Sequence, residues 1–248
     1  MYRQLRVGAV IPAYNETRAI AKTVATIPDF VDRTIVVDDC STDDTAIRAR
    51  VNPDVVVITH PENRGVGAAI STGYRYVLEH DLDVAVVLAG DGQMDPGDLP
   101  ALLDPIAANL ADYVKGNRFL HPDIWREMPA SRIVGNVVLS AATRITSGYH
   151  HVFDSQCGYT AIHRDALAKL ELDAMWSRYG YPNDLLSRLH VHALRVVDVP
   201  VRPIYGEHWK SGINLSTALH PIPYVLLRSW GNRLAAELTD RFGGARAL

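Results

Sequence analysis

Three apolar runs in the first hundred residues each end in side chains able to do chemistry. Val7-Gly8-Ala9-Val10-Ile11 leads into Pro12-Ala13-Tyr14-Asn15-Glu16, and Thr34-Ile35-Val36-Val37 into Asp38-Asp39. Val84-Ala85-Val86-Val87-Leu88 leads into Gly90-Asp91-Gly92-Gln93. If the runs are strands of an open α/β sheet, their carboxyl ends share the edge where ligands bind. Carboxylates, an aromatic ring and an amide gathered there suit a polar ligand held with a metal ion, and a sugar nucleotide fits that set.

Each cluster has a plainer reading. Asn15 can cap a helix and Glu16 suits a first helical turn, so the first cluster reads equally as a turn and cap. The other reading has Tyr14 beside a base or ribose, with Glu16 accepting hydrogen bonds. Asp38 and Asp39 would repel each other at a buried strand end, so a partner is expected; a base N–H or ribose hydroxyl explains the pair better than capping, for which Ser41 and Thr42 suffice. Asp91 is the ligand a hard cation such as Mg²⁺ or Mn²⁺ prefers, and Gly90 and Gly92 would let a diphosphate approach the backbone. Asp-Gly is also a common turn. Gly65-Val66-Gly67 follows no strand and lacks a third glycine, so it reads as the structural start of a helix rather than a dinucleotide loop.

The elements that must position these residues alternate. Strands are expected at 5–11, 33–38, 54–59, 83–89 and 111–116, with helices at 16–27, 43–50, 67–79 and 98–109. Such a β-α-β series predicts an α/β fold with a mostly parallel sheet flanked by helices. Beyond 118 the rhythm changes to a loop at 123–130, a helix at 131–146 and a strand or loop at 152–162. A helix at 182–192, a strand at 195–201 and a loop at 205–214 follow. The 248 residues are read as one domain: a nucleotide-sugar half to 118, an acceptor half over 119–212 and an amphipathic helical segment over 213–248. Formal net charge of −3 gives no general attraction to nucleic acid, which is not expected as a partner. Cys40 and Cys157, the only cysteines, suggest a reduced cytoplasmic setting. Met1 to Arg6 lead straight into a strand pattern and are not expected to form a signal peptide. The run near 213–227 is broken by His220, Pro221 and Pro223, so no membrane-spanning helix is expected.

Taken in order, Val10-Ile11-Pro12-Ala13-Tyr14-Asn15-Glu16, Val36-Val37-Asp38-Asp39-Cys40-Ser41-Thr42-Asp43 and Asn63-Arg64-Gly65-Val66-Gly67 resemble the motifs of family 2 glycosyltransferases with the GT-A fold. Over roughly 5–212 the chain most resembles the polyprenol- and dolichol-phosphate mannosyltransferases. The resemblance implies that Pro12, Tyr14, Glu16, Val37 and Asp39 contact the nucleotide, and that Asp91 and Gln93 take metal or diphosphate positions. That family's Asp-x-Asp motif has its first acid replaced here by Ala89, so metal binding is expected to be weaker or more dependent on substrate.

Lys115-Gly116-Asn117-Arg118-Phe119 resembles the segment whose arginine meets the diphosphate. Asp154-Ser155-Gln156-Cys157-Gly158-Tyr159 resembles an acceptor-side segment, and Tyr205-Gly206-Glu207-His208-Trp209-Lys210-Ser211 a variant of the family's basic loop. Arg202 and Lys210 are thereby carried over as phosphate ligands. The implied reaction is an inverting transfer from a nucleotide-diphosphate sugar, with GDP-mannose favoured and a UDP-sugar as the alternative. A lipid phosphate acceptor would need no general base, its second pKa being about 6. A hydroxyl acceptor would need one, with Asp184 and Asp154 as candidates. Lipid is favoured by the apolar faces of Ile133, Val137, Val138 and Ala141, and of Val225, Leu226, Trp230 and Leu234, with Arg132 and Arg228 nearby. For 131–146 ordinary core packing is the rival reading. Such an enzyme would be cytoplasmic, peripheral at the inner membrane face or tied to a membrane-protein partner. A transferase acting on a soluble acceptor and a non-catalytic nucleotide-sugar binder are the competing functions; a sugar nucleotidyltransferase is disfavoured because its glycine-rich loop should stand where Pro12-Ala13-Tyr14 does.

Overall fold

The computed structural model describes residues 1–50, 52–205 and 221–243. Valine- and isoleucine-rich runs form a seven-stranded sheet in the order β3-β2-β1-β4-β6-β5-β7. The strands are β1 (Val7–Ala13), β2 (Arg33–Asp38), β3 (Val55–Thr59), β4 (Val84–Val87), β5 (Tyr113–Asn117), β6 (Thr160–His163) and β7 (Val196–Pro200). All pairs are parallel except those of β6, which runs antiparallel to both β4 and β5. The expected mostly parallel sheet is therefore present. Because β6 lies between β4 and β5, the two halves of the chain share one sheet.

Helices cover both faces, which is why the central strands are apolar on both sides. Val10, Ile35 and Val37 pack with Ile70, Tyr74 and Val77 of α3 (Val66–Glu79). Ala9, Ile11 and Val36 face the other way, toward Leu99, Leu102 and Ile106 of α4 (Leu99–Ala107). Gly73 sets the approach of α3, since a Cβ there would lie 2.2 Å from Val10 Cγ1.

Several boundaries differ from expectation for local reasons. Strand β1 runs through Pro12 to Ala13 instead of ending before them. Leu88 N–H donates to Val10 O, the last bond on the β4 flank, so the N–H that Pro12 lacks falls where no partner strand remains. Helix α1 (Ile20–Ala25) is shorter than 16–27. Asn15 takes φ +57 and does not cap it; its side chain accepts from Thr42 N–H, which ties the first loop to the second. The stretch 123–130 contains a short helix, α5 (Ile124–Glu127), and α2 (Thr45–Ala49) is likewise brief.

In the second half, α6 (Ala130–Ser147), α7 (Arg164–Leu167), α8 (Tyr181–Val191) and α9 (Ile222–Gly243) follow, and α6, α8 and α9 pack on one another. Helix α6 is inverted. Its buried stripe is Asn136, Ser140, Thr143 and Ser147, whereas Val134, Val138 and Ile145 are 64%, 62% and 65% exposed. Core packing therefore does not account for Val137, Val138 or Ala141, all exposed; Ile133 is half-buried. In α9, Val225 and Leu226 are buried while Leu227 and Trp230 face outward. Among the described residues no helix is long and apolar enough to cross a membrane.

Candidate active site

A cavity of about 570 Å³ opens at the carboxyl ends of β1, β2 and β4. Pro12, Tyr14 and Glu16 line it from β1, Asp39 from β2, and Ala89, Gly90, Asp91 and Gln93 from β4. The second half contributes Arg118, Arg132, Arg202 and Tyr205. The fold thus brings most of the site residues expected from sequence onto one wall-to-wall surface. Of the residues expected to contact the nucleotide, Val37 does not line the cavity: it is fully buried in the α3-facing core. Lys210 and the rest of its loop lie outside the described residues.

Strand alternation sends Asp38 and Asp39 to opposite sides, so the expected repulsion is relieved within the protein. Asp38 accepts from Ser41 N–H at 3.3 Å. Asp39 accepts from Arg64 N–H at 2.9 Å and Gly65 N–H at 2.7 Å, and pairs with His60 Nδ1 at 2.7 Å. The pair therefore does not require a base or ribose to satisfy it, contrary to the sequence argument. Asp39 instead anchors the start of α3, where Gly65 holds φ +97 and a Cβ would lie 2.5 Å from Ser177 O. Its position on the cavity wall still leaves it within reach of a ligand.

Glu16 and Asp91 face one charge problem together. Burial, then the neighbouring Asp91 and Asp43 carboxylates, push the Glu16 carboxyl up to about 7. Burial also raises Asp91. A carboxyl raised by burial and by a neighbouring carboxylate, beside a second raised by burial, forms a place where a cation is welcome. Among the described residues, however, no group of three His, Cys, Asp or Glu side chains could hold a metal by itself. Gln93 donates its backbone N–H to Asp91 Oδ1 at 3.0 Å and its amide Nε2 to Oδ2 at 2.5 Å. Both bonds tie Gln93 to Asp91 on the cavity wall. One or two carboxylates suit Mg²⁺ or Mn²⁺ only when substrate phosphates and water complete the shell. The donor set fits such a substrate-assisted ion.

On the opposite wall Arg118 and Asp154 form a bidentate ion pair, with Nη2 2.7 Å from Oδ1 and Nε 2.8 Å from Oδ2. Asp154 has no exposed surface and does not line the cavity, so it is unsuited to the base role considered from sequence. Asp184 is likewise sealed. Its carboxylate accepts from Trp176 N–H at 2.9 Å, Arg188 Nε at 2.8 Å and Ser229 Oγ at 3.4 Å. It borders a separate cavity of about 230 Å³ beside Arg188 and Ser229. Arg202 is exposed at the rim, its backbone N–H held by Asp98 at 2.7 Å. Burial lowers the pKa of Arg132.

Some lining residues were not singled out from sequence. Arg178 reaches Asn63 Oδ1 at 3.4 Å and Asn63 O at 3.2 Å, which closes the cavity beside Asp39. Tyr179 and Tyr181 flank Gly180, whose φ of +100 turns the chain into α8. The aromatic run Trp176-Ser177-Arg178-Tyr179-Gly180-Tyr181 was the available signal.

A Rossmann-like sheet with a polar cavity at its carboxyl edge, completed by one antiparallel strand, defines the GT-A class. Residues 9–171 match the glycosyl transferase family 2 model, and the chain belongs to that family. It is 32% identical over 250 residues, covering 98% of both chains, to the undecaprenyl-phosphate mannosyltransferase of Micrococcus luteus. It is 33% identical over 216 residues to the UDP-N-acetylglucosamine–dolichyl-phosphate N-acetylglucosaminyltransferase of Methanococcus voltae, covering 80% of this chain and 86% of that one. Among solved structures, the glucosyl-3-phosphoglycerate synthase of Mycobacterium tuberculosis with Mn²⁺, UDP and phosphoglyceric acid superposes with a TM-score of 0.70 at 20% identity, covering 92% of this chain and 79% of that one. That likeness supports the GT-A fold.

Proposed function

We propose that this chain transfers a hexose, with mannose favoured, from a nucleotide-diphosphate sugar to a polyprenyl phosphate with inversion. The observation that carries this reading is the placement of α6. Near its first turn, Arg132 lines the cavity, and the stripe Val134, Val138, Ala141 and Ile145 runs outward from there, exposed. A cationic head beside an apolar strip matches an acceptor with a phosphate head and a hydrocarbon tail. The sealed states of Asp154 and Asp184 support the same choice, since the cavity's remaining carboxylates, Glu16, Asp39 and Asp91, stand at the β1, β2 and β4 ends assigned to the donor.

An acceptor phosphate oxygen attacks the anomeric carbon as the bond to the nucleotide diphosphate breaks, and no proton need be removed from an oxygen already ionised. Arg118 and Arg202 stabilise the charge left on the diphosphate. Asp91, near Glu16, would hold a Mg²⁺ or Mn²⁺ that neutralises the same group. Tyr14, Asp39 and Arg178 border the nucleotide end. Outward-facing Tyr224, Leu227 and Trp230 of α9 extend the apolar surface, so the protein is proposed to sit at the inner membrane face through α6 and α9. GDP-mannose is the favoured donor; the similarity to the Micrococcus luteus mannosyltransferase along the whole chain supports mannose as the sugar.

Transfer from GDP-mannose and from UDP-sugars to short-chain polyprenyl phosphate in detergent tests this reading, with phosphorylated and free sugars as competing acceptors. A lipid-linked mannose is expected. Product on a soluble hydroxyl with none on lipid would overturn it.

A further inference from the structure

Asp154 is fully buried, yet three donors of a single residue converge on it. Arg118 gives it the backbone N–H at 2.9 Å, Nε at 2.8 Å and Nη2 at 2.7 Å. That grip leaves the Nη1 edge turned to the Tyr205 hydroxyl at 3.0 Å, and Arg118 and Tyr205 both line the cavity. The backbone at Asp154 takes φ +45, an uncommon conformation for a residue with a side chain. Cys157 N–H donates to Asp154 O at 3.0 Å and closes the turn.

The support runs deeper into the sheet. Lys115 of β5 is fully buried and donates its ammonium to Cys157 O. It pairs in register with Asp198 of β7, whose carboxylate accepts from Phe153 N–H at 2.6 Å and Asn117 Nδ2 at 2.8 Å. Two cations and two carboxylates are thus balanced under the cavity wall and bracket the 153–157 turn from below. A buried ion pair gives little net stability compared with apolar packing of similar shape. Its use must be sought in what it orients.

We propose that Asp154 is a positioning residue that locks Arg118 so that its Nη1 edge is presented to the leaving diphosphate before substrate arrives. This rests on the reading of Arg118 as a diphosphate ligand. The entropy of ordering a long, flexible side chain is met during folding instead of at binding, and the donor reaches the developing charge without reorganisation. Asp154 itself touches no reactant. Its carboxylate is occupied on both oxygens and faces the interior.

The test compares Arg118→Gln, Asp154→Asn and the double variant in the full chain. GDP and UDP affinities are measured by calorimetry with Mn²⁺, and transfer rates across pH. Arg118→Gln is expected to weaken diphosphate binding by about tenfold or more, the range for a lost bond to a charged group. Asp154→Asn should produce a similar loss while keeping the wild-type shape of the pH–rate profile. The double variant should be no worse than Arg118→Gln, because both changes disable one device. Unaltered diphosphate affinity in Arg118→Gln would refute the role of Arg118 itself. Weakened binding in Arg118→Gln but wild-type binding in Asp154→Asn would overturn the positioning role alone. So would a further tenfold loss of turnover, with a vanished limb in the pH profile, when Asp154→Asn is added to Arg118→Gln. If Asp154→Asn fails to fold, Arg118→Gln against the double variant decides the matter, since the double variant removes both buried charges together.

Discussion

Half-buried near Asp91 and Asp43, the Glu16 carboxyl is pushed up to about 7 from 4.5. A carboxyl raised in the folded state binds more protons there than in the unfolded chain. Stability is therefore lost as pH climbs from about 4.5 through 7, and the loss persists above. Discounted for solvent screening, the cost at pH 8 is about 1 kcal/mol. Glu16→Gln should raise the melting temperature of the ligand-free protein by about 2–4 °C at pH 8, with little change at pH 5, in paired thermal melts. An equal shift at both pH values would mean that ionisation of the buried carboxyl beside its acidic neighbours is not the cause. Asp39 shows the opposite case: a residue whose acidity looked costly is satisfied by His60 and two backbone N–H groups.

At the scale of elements, Asp184 joins three segments. It lies in the first turn of α8, accepts from the Trp176 backbone and from Arg188, and sits 3.9 Å from Arg228 Nη1 of α9. Arg228 also lies over the Trp176 ring at 5.6 Å. Removing the carboxylate would leave two guanidinium groups and a backbone N–H without it. Breaking a buried pair in this way costs about 3–5 kcal/mol. Asp184→Ala should lower the melting temperature by about 6–15 °C. Below that transition its diphosphate affinity should match wild type. Thermal melts and calorimetry check both, and a stable but inactive variant would return Asp184 to chemistry. Asn183-Asp184 at a helix start did not reveal this role, because Arg228 arrives from more than forty residues away.

For the whole molecule, the informative property is how many large apolar side chains stay in solvent. Leu120, Trp125, the outward stripe of α6 and Tyr224, Leu227 and Trp230 of α9 are all exposed, and α6 and α9 pack on each other. The proposed bilayer contact predicts flotation with anionic vesicles. Replacing Val134 and Val138 together by Asp should reduce vesicle binding by roughly tenfold or more, given the cost of inserting charge into an apolar layer. The fold should survive, since both valines already face outward. Undiminished flotation of the double variant would move the contact elsewhere.

Pro12 and Arg118 came from the family resemblance, while the alternation of strands and helices in the first half, the parallel sheet and the cavity wall formed by Tyr14, Glu16, Asp39 and Asp91 were legible in the sequence alone. Strand periodicity and chain direction deliver successive β-strand ends to one edge, so local patterns suffice to collect those residues. What surrounds each carboxylate was not legible. Asp39 meets His60 and Gly65, Asp154 meets Arg118, and Asp184 meets Trp176 and Arg228, each pairing set by how loops and helices close over the sheet. The outward turn of α6 was equally undecided. Its valines and its serines, threonine and asparagine form two stripes of similar width. Only the polar partners Ser155 and Asn183 across the interface determined which stripe goes inside, because a buried hydroxyl or amide needs a hydrogen-bonding neighbour and the identity of that neighbour is a tertiary fact.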